Sequence, residues 1–296
     1  MKKILVLGGT RFFGRKLVEV LLEEGHQVTI MTRGTTSHPF GDRVEHIIGD
    51  RSMKEQLKNH FEGRKFDIVY DNICYTSNEA RDFCEVFNGN IGKLVFTSSL
   101  STYSADGKEK SEEDFDSYHY PIAWGDKEAF TYDEGKRQAE AVFFQYATFP
   151  VVAVRFPIVL GEDDYTRRLH FHVERIQQGK TIGFVNMEAE MSFILASEAA
   201  AFLKWTGLSD VEGPFNATAN GKISMGELIH IIEKVTGHDA KITLEGDEED
   251  TSPFAIPATW YMNTEKAGKA GFVFSKLEDW LPALIETIAG KDKHRL

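Results

Sequence analysis

Short apolar runs alternate with helix-length amphipathic stretches along this chain. Lys3-Ile4-Leu5-Val6-Leu7 is the first run, and it stops at Gly8-Gly9. Gly14 then opens a stretch to Glu24 with apolar residues at 17, 18, 20, 21 and 22, the spacing of a helix. Continuous apolar runs of this length read as strands buried on both faces of a parallel sheet. Further strands are predicted at 27–31, 44–48, 66–70, 93–97 and 151–156. Helices are predicted at 78–87, 130–146, 169–178, 225–236 (stopped by Gly237) and 277–288, and 193–208 starts as a strand and continues as a helix. Strands alternating with helices predict an α/β fold with right-handed crossovers. The stretch 107–126 is polar, acidic and aromatic without a period, so it is a loop, and long loops in compact domains are often functional. The acidic run 245–250 reads as a solvated loop, and 291–296 as a frayed tail.

The first turn carries candidate chemistry. A strand, a glycine turn and a helix leave backbone N–H groups free at a helix N-terminus, where the dipole favours an anion such as a pyrophosphate. Gly8 allows the sharp turn, and Gly14 lets the helix approach the strand closely. The central glycine of a dinucleotide fingerprint is here Arg11. The second strand ends at Thr32-Arg33-Gly34, without the acid that commonly holds a ribose 2′-hydroxyl. Arg33 and Arg11 either grip a 2′-phosphate, which favours NADP over NAD, or stay solvated. Asp50 sits at the carboxyl end of the third strand, where ligands bind in open α/β sheets; a plain turn aspartate is the alternative. Tyr132 and Lys136 are four apart and share one helix face.

Charge and composition narrow the classes. The 296 residues suffice for a large core, or for one domain with a smaller lobe, and 42% hydrophobic with 27% charged content is that of an ordinary globular protein. A net charge of −12 argues against a broad nucleic-acid or anionic-membrane surface. Cys74 and Cys84 are the two cysteines, so no disulfide framework is expected and a reducing cytoplasm is. Lys2-Lys3 precedes an apolar run too short for a signal peptide, and Arg11 and Arg15 follow at once, so no leader is expected. No stretch reaches the ~20 apolar residues of a membrane span.

Several motifs in order resemble one family. They are Gly8-Gly9-Thr10-Arg11-Phe12-Phe13-Gly14, Gly49-Asp50, Phe96-Thr97-Ser98-Ser99 with Tyr103, and Tyr132-x-x-x-Lys136 with Glu140. Arg155-Phe156-Pro157 with Gly161, Phe193-Ile194 before a helix, and Phe215-Asn216 follow. Over nearly the whole length the chain resembles an extended short-chain dehydrogenase/reductase of the NAD-dependent epimerase/dehydratase family. Its Gly-Gly-Thr-Arg-Phe start is similar to an atypical subgroup that includes plastid proteins proposed to bind RNA. The resemblance implies a Rossmann-like doubly wound parallel sheet with a smaller C-terminal substrate-binding lobe. Residues 1–161 with about 192–212 would form the NAD(P)-binding domain, and 162–191 with 213–296 the lobe.

The resemblance also implies a catalytic set of Ser99, Tyr132 and Lys136. Free tyrosine titrates near ~10, and a nearby ammonium with an oxidised nicotinamide would lower that value. Lys136 would also hold the ribose hydroxyls, and Ser99 would orient the substrate oxygen. The cofactor would be held by Gly8, Thr10, Arg11, Phe12, Phe13, Gly14, Arg33, Asp50, Arg51, Asn72, Ile73, Thr97 and Phe156, with Tyr132 and Lys136. Gly135 departs from the family pattern, in which a serine or threonine is common there, and the gap from Ser99 to Tyr132 is longer than usual.

Other candidates are less specific. His170 and His172 point to different faces of one helix, so no metal site is expected. Arg167 and Arg168 either clamp a substrate phosphate or lie at a solvated helix start, and Glu112-Glu113-Asp114 reads as a solvated face. The expected function is an NADP- or NAD-dependent oxidoreductase, epimerase or dehydratase on a small hydroxylated substrate, with a nucleotide sugar as the family's class. The rivals are a reductase of a non-sugar metabolite and a non-catalytic regulator or RNA-associated protein of the same fold. A homodimer through helices 78–87 and 130–146 is implied by the resemblance, and membrane and nucleic-acid partners are not expected.

Overall fold

The structure, a computed structural model, describes residues 1–244 and 247–292. The strands are β1 (Lys3–Leu7), β2 (Gln27–Thr32), β3 (Val44–Ile48), β4 (Ile68–Asp71), β5 (Leu94–Ser99), the two-residue β6 (Glu109–Lys110), β7 (Val151–Phe156), β8 (Ile158–Leu160), β9 (Thr181–Gly183), β10 (Glu190–Met191), β11 (Phe193–Leu195), β12 (Gly213–Asn216), β13 (Ile223–Ser224), β14 (Lys241–Thr243) and β15 (Tyr261–Met262). The helices are α1 (Phe12–Glu23), α2 (Lys54–Phe61), α3 (Ser77–Phe87), α4 (Tyr132–Tyr146), α5 (Arg168–Gln177), α6 (Ala196–Leu208), α7 (Met225–Thr236), α8 (Glu265–Lys269) and α9 (Leu277–Asp292).

Among the described residues, seven strands form one parallel sheet in the order β12-β7-β5-β4-β1-β2-β3. This is the expected α/β architecture. The chain winds outward from β1 to β3, then crosses back to β4 on the other side of β1. Where the order reverses, loops leave the carboxyl ends in opposite directions and open a crevice. The turn after β1 and the segment after β4 flank that crevice.

Side chains alternate between the two faces of each strand. Ile4 and Val6 of β1 pack with Leu17 and Leu21 of α1 and Phe202 and Leu203 of α6. Leu5 and Leu7 pack on the opposite face with Leu57 of α2, Phe83 and Phe87 of α3, and Phe143 of α4. A second core joins Leu160, Val173, Phe193, Leu228, Leu281 and Ile285, drawn from β8, β11 and helices α5, α7 and α9.

Local signals set several boundaries as predicted. Ser224 and Glu227 form a capping box at the start of α7, and Gly237 ends it at φ 72°. Other bounds shift. Helix α4 starts at Tyr132 instead of 130, and Phe66 stays outside β4 in a lone bridge to Ile91. Within the acidic run, Glu245 and Gly246 lie outside the described residues, while Asp250 pairs with Arg175 instead of being freely solvated. Helix α9 carries through to Asp292, and the rest of the expected tail lies outside the described residues. Among the described residues no helix is long and apolar enough to cross a membrane.

Candidate active site

The turn after β1 is built on two backbone requirements. Gly8 has φ +84°, in the left-handed region that disfavours side chains. A Cβ added to Gly14 would stand 2.5 Å from the Gly8 carbonyl oxygen, a backbone atom with no room to yield. The contact draws the N-terminus of α1 against the end of β1. Arg11 caps that helix without a side-chain bond, and no acid lies in the first turn. Its amides are therefore available to an anion. Phe12 takes φ +50°, a strained conformation for an aromatic residue, of the kind that collects at functional sites. Its ring meets Tyr165 edge-on at 6.4 Å.

A cleft of about 480 Å³ opens beside this turn, lined by Thr10, Arg11, Arg15, Thr36, Asp163 and Tyr165 among others. Arg11 Nε donates to Thr36 Oγ1 at 2.8 Å, and its guanidinium lies 5.4 Å from the Tyr165 ring centre. Arg15 donates to Asp163 at 2.9 Å, which ties α1 to the segment after β8. Arg33 is exposed just past the end of β2. Burial raises the Asp50 carboxyl, but hydrogen bonds from Ser52 and the nearby Arg33 and Arg51 outweigh it and hold the group below its usual range.

Arg51 departs from its expected role. Its guanidinium turns inward, 3% exposed, donating to Asp71 at 2.8 and 2.5 Å and to the Glu79 carbonyl at 3.0 Å. A buried carboxylate at the end of β4 needs a counter-charge, and Arg51 supplies it, so its side chain is not free to hold a ligand. Asn72, Ile73, Thr97 and Phe156 are brought to the turn and brace it. Thr97 Oγ1 donates to Asn72 at 2.8 Å, and Asn72 Nδ2 reaches the Gly8 carbonyl at 3.5 Å. Ile73 lies directly against Gly8, and Phe156 packs 5.7 Å from Phe13.

Ser99, Tyr132 and Lys136 stand in three different environments. Ser99 ends β5, half-buried, and its Oγ accepts from the Ser101 amide and hydroxyl at 3.1 and 3.0 Å. Tyr132 opens α4 and is 58% exposed. Lys136, one turn on, is 1% exposed; its Nζ donates to the Cys74 and Thr97 carbonyls, both at 2.8 Å. The ammonium also lies 4.4 Å from the centre of the Tyr75 ring, and that ring is 6.0 Å from Tyr132. Burial, followed by the neighbouring phenols Tyr132 and Tyr165, pushes the Tyr75 hydroxyl well above its ordinary value.

Beneath the site lies a charged network whose members are far apart in the sequence. Glu140 and Arg155 form an ion pair with both side chains fully buried. Ser98 donates to Glu140 at 2.6 Å. Arg155 donates to the Tyr103 hydroxyl at 2.7 Å and to the carbonyls of Glu112 and Phe115 at 2.9 and 3.1 Å. Tyr103 donates onward to Asn216 at 2.7 Å. Glu112, expected on a solvated face, is 8% exposed and accepts from the Asn216 amide at 2.8 Å. The network pins the loop before α4 onto the strand ends, which is why that acid is buried.

Of the remaining candidates, the Arg168 side chain is exposed, while Arg167 and His172 have partners within the chain. Arg167, at φ +54°, pairs with Glu174, and the Arg168 amide lies within 3.4 Å of Asp164. His172 is fully buried, with Nδ1 2.8 Å from the Arg168 carbonyl and Nε2 2.7 Å from Ser252 Oγ.

Comparison with known proteins follows the same lines. The NAD dependent epimerase/dehydratase family matches residues 4–218. The chloroplast stem-loop binding protein of 41 kDa b from Arabidopsis thaliana is 32% identical over 115 residues, 34% of this chain and 30% of that protein. The UDP-glucuronic acid decarboxylase 1 of Xenopus tropicalis is 23% identical over 278 residues, 84% of this chain and 64% of that protein. The chain thus matches less than two thirds of the length of either relative. The dTDP-glucose 4,6-dehydratase of Bacillus anthracis, solved with NAD, shares the fold at a TM-score of 0.76 and 16% identity, with 99% of this chain and 98% of that one covered.

Proposed function

Because the chain belongs to the NAD-dependent epimerase/dehydratase family, we propose that it is a dinucleotide-dependent enzyme acting on a small hydroxylated substrate, with a nucleotide sugar as the class. One observation carries the reading. A hydrogen-bond path runs from the Gly8 carbonyl through Asn72 to Thr97 Oγ1, and the Thr97 carbonyl then accepts from Lys136. The glycine turn and the Tyr132–Lys136 pair are therefore parts of one braced site. The turn fits a dinucleotide: Gly14 and Gly8 meet without space for a side chain, and the uncapped amides of α1 face the cleft beside Arg11 and Thr10. Arg33 and Arg11 favour a 2′-phosphate, so NADP is the preferred form over NAD.

When bound, the nicotinamide supplies the hydride acceptor or donor. Tyr132, exposed at the start of α4, takes or returns the proton of the substrate hydroxyl. Lys136 stands one helical turn on along the same face, where its ammonium would hold the ribose hydroxyls of the dinucleotide. Ser99 already accepts two hydrogen bonds from Ser101, so its own O–H is left to donate to the substrate oxygen. Residues 1–161 with 192–212 hold the dinucleotide in this reading, and 162–191 with 213–296 form the substrate lobe.

The UDP-glucuronic acid decarboxylase match supports the sugar class. The two buried free thiols, Cys74 and Cys84, fit a cytoplasmic protein, and a homodimer would use the α3–α4 face, where Trp124 and Tyr146 are exposed. Tyr132→Phe tests the mechanism. On a substrate found by screening nucleotide sugars with NADP and NAD, turnover should fall roughly 10²–10⁴-fold, with cofactor affinity nearly unchanged. Full activity of the variant refutes the role. A second reading, an RNA-associated protein without turnover, draws on the stretch shared with the stem-loop binding protein. The net charge of −12 opposes it, and a gel shift with stem-loop RNA decides.

A further inference from the structure

Lys136 is shut off from the crevice it is expected to serve. The Cys74 and Thr97 carbonyls hold its ammonium from one side, and the face of Tyr75 covers it at 4.4 Å. Tyr75 sits in the segment between β4 and α3, which lies against α4 through the Lys136 bond to the Cys74 carbonyl and is shaped by bonds to its own flanking elements. The Tyr75 amide donates to Glu79 Oε2 at 2.7 Å, and the Ile73 amide donates to Asp71 at 3.2 Å. The close approach to α4 is possible because residue 135 is glycine. A Cβ there would stand 2.5 Å from the Tyr75 carbonyl oxygen, so the serine or threonine that resembles the family pattern would lift the segment. The departure at Gly135 and the covering of Lys136 are thus one feature.

We propose that Tyr75 is a positioning residue that closes over Lys136, seated by Gly135, so that a dinucleotide ribose reaches the ammonium only after Tyr75 swings aside. The inference rests on the dinucleotide reading above for its purpose, but not for its geometry. A closed majority state lowers the apparent affinity by the fraction of molecules that are open. Removing the ring both exposes Lys136 and relieves that loss.

The test uses the full chain without cofactor and limiting acetylation by an amine-reactive ester. Mass spectrometry compares Lys136 with the exposed Lys269 of the same molecules. Tyr75→Ala should speed acetylation of Lys136 relative to Lys269 by roughly ten- to thirtyfold, the factor a desolvated cation–π contact corresponds to. Tyr75→Phe keeps the ring and should remain within about twofold of wild type. Gly135→Ala keeps the tyrosine but displaces its segment, and should speed acetylation as Tyr75→Ala does. Calorimetric affinity for NAD or NADP should rise in Tyr75→Ala. If Lys136 stays as slow as wild type in both Tyr75→Ala and Gly135→Ala, the proposal is overturned. If Lys136 opens in these variants and no form of the protein binds either dinucleotide, the closure stands and the dinucleotide reading falls.

Discussion

Glu140→Ala should cost the fold roughly 3–5 kcal/mol, the usual effect of removing one partner from a buried ion pair. The size follows from the surroundings. Both side chains are 0% exposed, so no solvent replaces the lost carboxylate. Arg155 keeps the Tyr103 hydroxyl and the Glu112 and Phe115 carbonyls, which satisfy donors but carry no counter-charge. Ser98 loses its acceptor as well. Against a typical total of about 5–15 kcal/mol, this is a large share. Glu140→Gln keeps an acceptor for Ser98 and the shape of the side chain, so it should lie between wild type and Glu140→Ala. The double variant Glu140→Leu/Arg155→Met removes both charges together and should cost far less than the sum of the single changes. Urea unfolding midpoints read at constant slope give these differences. A loss below about 1 kcal/mol for Glu140→Ala, or a double variant that equals the sum, would refute the argument that an unpaired buried charge sets the cost.

Burial lowers the His172 imidazole to about 4, despite its bond to the Arg168 carbonyl. Above pH ~6.5 neither the folded nor the unfolded chain protonates this group; below it the unfolded chain takes the proton first, so stability falls, by roughly 3 kcal/mol in all near pH 4. His172→Gln should flatten the dependence of urea midpoints on pH between those values, and an unchanged slope excludes His172 as the source. Arg33→Ala should weaken NADPH binding and spare NADH in calorimetry; equal wild-type affinities for the two cofactors would defeat the 2′-phosphate assignment. Light scattering at micromolar concentration should give a dimer mass. The 121–126 segment must then be part of the interface, because Ser77 donates to the Ala123 carbonyl and Gln138 to the Pro121 carbonyl across α3 and α4; a monomer mass refutes the dimer.

The sequence by itself determined the parts whose physics is local. Apolar runs placed the strands, because a parallel strand is buried on both faces and its run is unbroken. Gly8 and Gly14 marked the turn, and Gly237 marked the end of α7, because left-handed positions act within a few residues. Helix α2 escaped, since only Leu57 and Phe61 of its eight residues are buried and two positions do not make a period. Tyr132 and Lys136 could be placed on one helix face from their spacing, but not in their environments, one exposed and one sealed. Only the tertiary structure decided which charges are buried and with whom. Arg51 meets Asp71 twenty residues on, and Glu112 meets Asn216 across 104 residues. Nothing in a period of 2 or 3.6 residues reports such partners, because they depend on which strands become neighbours. Tyr75 gave no signal for the same reason: its ring covers Lys136 only because β4, β5 and α4 converge at the reversal of strand order, where Gly135 leaves room for its carbonyl.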